Sequence, residues 1–511
     1  MIIDFSDFIM NQDKQQNHSW KFEPIFIIVL CILFLFVGLV LASRIEPVWT
    51  DEVMFTDPPN NLYFGKGWIS TAWYYQTKEE FWAGNLPLHE IILYHWLKVF
   101  GFSLTAVRSM NYFLIVVSVL MIWLSVIRLK LINSSWSRIT LICLILSSSG
   151  ISFSYSSGRA DSIAITVAST ALLAYTITPA WLRCVTLACI GIFIPIAGLQ
   201  LLAYVIVLCA VLLFYLRKLV IKEFVSLGIG VALGIIFLYT LYFTNGVWFK
   251  FILSTFGSQH ILTGQVAQAI VQGDDKGILK ILSLQKVFIV DFSTALLHLL
   301  TLILVIYQLF KRQFKFYSPI SFGFVGGLFI PLAIAIAGKY PHYYTWMAFI
   351  PMVICICSEL DNFSLSSRKK WINLTAVSIL LIASLGGFPA KASLAINEWE
   401  TRDYANVEAF VQKNVKKTDW IYCDYGAYYA AYKSAELVFL PSYVRMFSNE
   451  EKHKITTLII APNKMKEITD KLGGDWNDTG EALIKKSLIS FQDDTNNYFY
   501  NLRIFKRQSV L

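Results

Sequence analysis

Charged side chains are scarce in this sequence. They make up 15% of its 511 residues, against 56% hydrophobic, whereas a soluble domain carries nearer a quarter. That shortage excludes an ordinary water-soluble globular protein. Paired cysteine motifs are missing as well. The eight cysteines form no CxxC and no Cys/His cluster, and all but Cys423 lie in apolar runs, so neither a disulfide framework nor a structural zinc site is expected. There is no Gly-rich phosphate loop, no internal repeat and no low-complexity stretch. What abounds is apolar and aromatic: 38 Phe, 25 Tyr and 15 Trp. The composition predicts a polytopic α-helical membrane protein. In such a chain a net charge of +9 reads as an orientation signal rather than a nucleic-acid surface. The first apolar run lacks a basic n-region and a small-residue cleavage site, which predicts a retained span rather than a signal peptide.

A span needs roughly 20 mostly apolar residues, and about eleven runs qualify. They are 24–43, 106–127, 139–156, 160–178, 183–199, 201–216, 224–243, 288–310, 317–337, 343–359 and 371–389. Alternate connections are short and basic: Arg128, Lys130 and Arg138; Arg183; Arg217, Lys218 and Lys222; Lys311, Arg312 and Lys315; Arg368, Lys369 and Lys370. The positive-inside rule makes these cytoplasmic. The N-terminus (1–23) is then inside, and the tail (390–511) is outside a plasma or inner membrane. The membrane region is 24–389, with outer loops at 44–105 and 244–287. In the tail, β-type runs at 420–423, 436–441, 457–462 and 498–505 alternate with helical runs at 406–415 and 463–472, a pattern that predicts a small extracytoplasmic α/β domain. Within the first outer loop, "PLHEIILYHWLKVFG" (87–101) reads as a helix lying in the interface with its aromatic side down. "WISTAWYYQTKEEFWAG" (68–84) is expected to be similar.

The cytoplasmic loops are too short to build a site, so chemistry belongs to the outer side. Asp51 and Glu52 follow the first span at headgroup depth. Thr50 as an N-cap with two acids in the first turn would explain them structurally, but carboxylates there meet an anionic lipid surface, which points to chemistry. "SSGRADSIAI" (156–165) sets Arg159 and Asp161 at the outer mouth of a span. "AGKYPHYYTWMAFIP" (337–351) brings Lys339, His342, Tyr343 and Tyr344. Taken singly, these fit snorkelling cations and an aromatic belt. Together with Arg108 they suggest a ring of cations suited to a phosphate, with acids opposite suited to a hydroxyl or amine. "CDYGAYY" (423–429) echoes the WWDYG signature of oligosaccharyltransferases without its paired Trp and reads as fortuitous. "QGDDKG" (272–277) reads as a turn.

A first span followed by "DE", then "PLHEIILYHWLKVFGFSLTAVRSMNYF", "GRADSIAI" and "GKYPHYY", resembles the GT-C membrane glycosyltransferases. Within them it is most similar to the protein O-mannosyltransferases and bacterial aminoarabinose transferases (glycosyltransferase family 39-like). The resemblance covers roughly 20–390. It implies inverting transfer of a sugar from an undecaprenyl or dolichyl phosphate donor to an extracytoplasmic acceptor (glycan, lipid or protein). It also implies Asp51 as the catalytic acid residue with Glu52 beside it, Arg159 and Asp161 as an R-x-D motif, and Lys339 near the donor phosphate. Where relatives read H-P-P-L this chain reads "NLPLH" (85–89), so Asn85 stands where the leading His would, with His89 as a substitute on a different helix face. No cofactor follows from the residues. A divalent metal is left open, held by Asp51 and Glu52 with a second acid such as Asp57, Glu79 or Glu80. Rival readings are a flippase or transporter of polyprenyl-linked sugar, which should carry ionisable residues at mid-bilayer, and a non-catalytic scaffold. Asp291 and His298 are the exceptions to otherwise uncharged span interiors.

Overall fold

A computed structural model describes residues 22–73, 76–199, 201–202, 221–256, 291–312, 314, 318–330, 344–363, 369–488 and 498–508. The helices are α1 (Glu23–Leu41), α2 (Thr50–Tyr63), α3 (Pro87–Phe100), α4 (Leu104–Arg128), α5 (Ser135–Ser147), α6 (Ser149–Tyr155), α7 (Asp161–Ala174), α8 (Ala180–Ala197), α9 (Ile221–Thr244) and α10 (Trp248–Phe256). They continue with α11 (Phe292–Phe310), α12 (Pro319–Phe324), α13 (Trp346–Phe363), α14 (Lys369–Ser384), α15 (Phe388–Asn397), α16 (Ala405–Asn414) and α17 (Tyr428–Ser434). The strands are β1 (Trp420–Cys423), β2 (Leu437–Phe439), β3 (Ile455–Ile460), β4 (Trp476–Lys486) and β5 (Tyr498–Arg507).

Among the described residues five helices are long and apolar enough to cross a membrane: α1, α4, α8, α9 and α11. Two bent pairs, α5/α6 (59°) and α14/α15 (44°), raise this to seven if each is one span. Outward side chains of α1, α9 and α11, such as Ile32, Phe36, Ile236 and Leu299, are exposed hydrocarbon, a surface suited to lipid rather than water. Most of the expected run 201–216, and residues 331–337 of the run 317–337, lie outside the described residues. The runs 139–156 and 371–389 are broken rather than continuous. The first breaks where Ser147, Ser148 and Ser149 meet Gly150, whose N–H is taken by the Asp291 carboxylate at 3.0 Å. The second breaks at Gly386–Gly387, and the two breaks touch: a Cβ on Gly387 would sit 2.0 Å from the Ser147 carbonyl oxygen.

Polar pairs sort the two ends of the bundle. At one end Glu23 accepts from Arg138 Nε (2.6 Å) and Trp123 Nε1 (2.8 Å), while Asp361 accepts from the backbone of Asn133 and Ser134 (2.7 and 2.9 Å). Arg183 pairs with Glu223. The opposite end carries α2, α3, the start of α4 and α7, and the α/β unit formed by residues 405–508. Its sheet has the order β2-β1-β3-β5-β4, parallel across β2-β1-β3 and antiparallel across β3-β5-β4. One hydrophobic core runs from α1 and α4 into this unit through Tyr404, Tyr428, Tyr429 and Tyr500. A second core, around Tyr422, Phe439 and Leu458, fills another part of the unit.

One local expectation fails in the first loop. The described residues of 68–84 (68–73 and 76–84) are not helical. Asp57 and Ser70 take up the backbone N–H groups of 71–73 that a helix would need, and Gln76 takes that of Ala83. Such side-chain bonds compete directly with a helical ladder. The expected helix α3 does form, and it turns His89 and Glu90 inward with Leu93 and Leu97.

Candidate active site

α2 starts at Thr50. Its N-cap position is Trp49, and no side chain caps it, so the expected capping by Thr50 is not present. Asp51 and Glu52 both fall in its first turn, where the helix dipole favours carboxylates, yet their surroundings differ. The Asp51 side chain is 29% exposed. One of its oxygens accepts from Arg159 Nη1, whose guanidinium is 3% exposed and donates from Nε to Asp161 Oδ2 at 2.7 Å. The Trp49 and Phe55 rings flank that guanidinium at 5.4 and 5.7 Å. One cation is therefore shared by two carboxylates, which leaves the cluster with formal charge −1 and an open face at Asp51.

Glu52 is fully buried. It accepts from Arg108 Nε at 2.7 Å and Nη2 at 2.6 Å, and from the Gly158 N–H at 2.9 Å. Arg108 also donates to the carbonyls of Ala42 and Glu46, both at 2.8 Å. Arg108 is thus a saturated tie between α4, α2 and the end of α1. This corrects its expected place in a phosphate-binding ring. Gly158 has to lack a side chain here, since a Cβ would fall 2.7–2.8 Å from Val107 and Thr56. Asn111 holds the same loop through the carbonyls of Ser157 and Arg159, at 2.6 and 2.7 Å.

The remaining candidates separate. Asp57 is fully buried. It accepts from Ser70 Oγ (2.7 Å), the N–H groups of Thr71 (2.8 Å) and Ala72 (3.3 Å), and Tyr428 OH (2.6 Å). Burial raises its pKa and these donors oppose the rise. Glu80 pairs with Lys250, and Glu79 with Lys78 at the surface. None of these joins Asp51, and both Glu52 oxygens are taken by Arg108. The Asp51–Glu52 pair therefore does not fit a divalent metal, and among the described residues no three His, Cys, Asp or Glu side chains gather as a metal site. His89 lies beside Phe55, with ring centroids 6.4 Å apart. Burial holds its pKa down to about 3. Its Nδ1 stands 3.6 Å from the buried Glu90, whose own pKa burial pushes far up and whose oxygens meet no hydrogen-bond partner among the described residues. Tyr344 packs partly buried against the core. Lys339, His342 and Tyr343 lie outside the described residues, as does "QGDDKG".

Sequence reasoning missed two features. Lys391, on α15, forms a buried pair with Glu46 at 2.8 Å and lies 4.8 Å from the Phe153 ring, which in turn contacts Trp49. Its signal was a lone Lys closing the last apolar run. The second is Tyr428, Tyr429 and Tyr432, which contact α2 directly. Their signal was the 428, 429, 432 spacing on one helical face.

No family model and no curated protein sequence matches the chain. Its fold does match solved structures. ArnT from Cupriavidus metallidurans bound to undecaprenyl phosphate superposes with a TM-score of 0.57 at 9% identity, over 96% of this chain and 99% of that one. The same protein in its apo state gives 0.55 at 9% identity, over 94% and 97%. A weaker likeness to the oligosaccharyltransferase of Archaeoglobus fulgidus in its apo form (0.44 at 11% identity, 94% and 76%) bears no argument. By its overall architecture this chain shares the fold of ArnT.

Proposed function

We propose that this protein is an inverting membrane glycosyltransferase that moves a sugar from a polyprenyl-phosphate donor to an acceptor on the outer side of a plasma or inner membrane. The observation that carries the reading is Asp51, a carboxylate with an open face held against a buried guanidinium in a fold shared with a protein solved with undecaprenyl phosphate. The acceptor hydroxyl attacks the anomeric carbon from the face opposite the lipid phosphate. The bond from C1 to the phosphate oxygen breaks, its electron pair leaves with the phosphate, and the hydroxyl proton passes to Asp51. A carboxylate is a weak base toward an alcohol, so proton transfer comes late, as the new bond forms. Arg159 fixes the orientation of Asp51 and Asp161 fixes Arg159. The cations that take up charge on the leaving phosphate are then sought at Lys339 and His342.

The direct test uses purified full-length protein with synthetic polyprenyl-phosphate sugars, assayed by mass spectrometry of released lipid phosphate and glycosylated acceptor. Transfer that is lost in Asp51→Asn, with undecaprenyl phosphate binding retained, supports the reading. Lipid scrambling with no chemical transfer would favour a flippase. Orientation is tested in intact cells: an impermeant maleimide should label a cysteine at Lys416 and spare one at Lys130.

A further inference from the structure

α2 is a poor helix by its own sequence. Pro58 and Pro59 stand in its interior. They remove the N–H groups that would bond the carbonyls of Met54 and Phe55, and a proline ring crowds the carbonyl four residues back. Yet α2 stays helical from Thr50 to Tyr63, with Asp51 and Glu52 in its first turn. The support comes from the other end of the chain. Tyr428 OH donates to Asp57 Oδ1 at 2.6 Å, and Asn60 Nδ2 donates to Tyr428 OH at 3.1 Å. Tyr429 OH shares a hydrogen bond with Thr56 Oγ1 at 2.8 Å, and Tyr432 OH donates to Asn61 Oδ1 at 2.5 Å. All seven residues are buried. Residues 56, 57, 60 and 61 form one stripe on α2, while 428, 429 and 432 form one stripe on α17, so two helical faces match polar group to polar group.

We infer that Tyr428, Tyr429 and Tyr432 are positioning residues: they hold α2 in shape across its two prolines and thereby set the direction of the Asp51 carboxylate. The inference rests on the glycosyltransferase reading for its catalytic consequence, but its mechanical part stands apart from that reading. The α/β unit is on this view a brace for the membrane site. Asp57 is the hub of the brace, because its second oxygen holds the 70–72 loop in place.

The experiment compares wild-type full chain with Tyr428→Phe/Tyr429→Phe, which keeps the rings and removes the hydroxyls, and with Thr56→Val, which removes one bond from the other side. Amide exchange across 50–63 should quicken about ten- to a hundredfold in the double variant, while exchange in α4 and α8 and the melting temperature stay close to wild type. With a lipid-phosphate sugar as probe, kcat should fall by a similar factor while donor KM stays within about twofold. Pro58→Ala added to the double variant restores one ladder bond, and it should recover part of both losses. A merely structural contact would lower the melting temperature and yield without this split and without rescue by Pro58→Ala. Unchanged exchange at 50–63, or an unchanged kcat beside quickened exchange, overturns the inference. If wild-type protein transfers no sugar from any lipid-phosphate donor, the functional reading fails, while the exchange data and their rescue still decide the brace.

Discussion

Two ion-pair clusters stand one residue apart in the chain and behave differently. Around Arg108 and Glu52 every strong contact is closed: the side chains are fully buried, the carboxylate meets the guanidinium through two bonds, and the spare donors go to backbone carbonyls. Around Arg159 one guanidinium serves two carboxylates, and Asp51 keeps part of its surface open. The first arrangement fixes helices and has no capacity left for a substrate. The second holds a carboxylate still without using it up. Adjacent acids in one motif therefore differ in partner saturation: Glu52 is used up as scaffold, while Asp51 keeps a face open.

The largest expected effect tests the open cluster. Asp51→Asn should lower transfer by about 10²–10⁴-fold, the usual worth of a general base, while yield and melting temperature stay near wild type. Near-normal transfer would erase the distinction drawn between the clusters. The closed cluster should show the reverse pattern. Glu52→Gln leaves the Arg108 charge buried without its full partner and should cost about 3–5 kcal/mol of stability, read as lost monodisperse protein. Replacing both partners, Glu52→Leu with Arg108→Met, should recover most of that loss, since buried ion pairs often exchange for hydrocarbon at little cost. A double variant as unstable as the single one would mean that Arg108 does more than satisfy Glu52.

Between the clusters lies the His89–Glu90 pair, and its expected effect is smaller and depends on pH. The folded pKa of His89 lies below its unfolded value, so its contribution is lost as pH falls below about 6.5 toward about 3. The folded pKa of Glu90 lies far above its unfolded value near 4.5, so its contribution is lost as pH rises above that value. Each slope is about 1.4 kcal/mol per pH unit. From pH 4.5 to 6.5 the two oppose each other, and wild-type stability should be nearly flat. Glu90→Gln should then gain stability with rising pH and His89→Asn should lose it. Parallel melting profiles for all three proteins over this range would refute the assignment of these two groups. The smallest effect is expected at Glu79, whose side chain is 65% exposed beside Lys78. Glu79→Ala should change stability by less than about 0.5 kcal/mol and leave transfer unaltered.

The sequence was informative where physics is local. Unbroken apolar runs located α1, α4, α8, α9 and α11, and the runs at 420–423 and 498–505 match β1 and most of β5. It was less informative where a neighbour decides. The breaks at Ser148 and Gly387 depend on each other's approach. β4 was missed because an edge strand reading "WNDTGEALIKK" buries little and shows no clear apolar alternation. Residues 68–84 resembled an interfacial helix because Asp57, which takes the N–H groups of Thr71 and Ala72, lies outside the segment, and nothing in the pattern shows that Ser70 and Gln76 turn onto its backbone. For the site, Asp51, Arg159 and Asp161 could be named from their motifs. That Arg108 is saturated by Glu52 could not, because sequence shows a charge but not whether its partner already satisfies it. Lys391 and the tyrosines lie more than 300 residues from the acids they serve, beyond the reach of any local pattern.

The hydrogen bond from Thr56 to Tyr429 spans 373 residues of chain, and this sets a timetable for biosynthesis. At about 5–20 residues per second, the ribosome needs on the order of 20–75 s to supply the partner of a helix made near the start of synthesis. Until then α2 must wait with two prolines in its middle and no brace. The nascent protein can insert its spans while the Asp51 carboxylate is still unplaced. On the proposed reading, donor lipid arriving early would meet a protein whose Asp51 is still unplaced, and a chain truncated before Tyr428 would stay in that state.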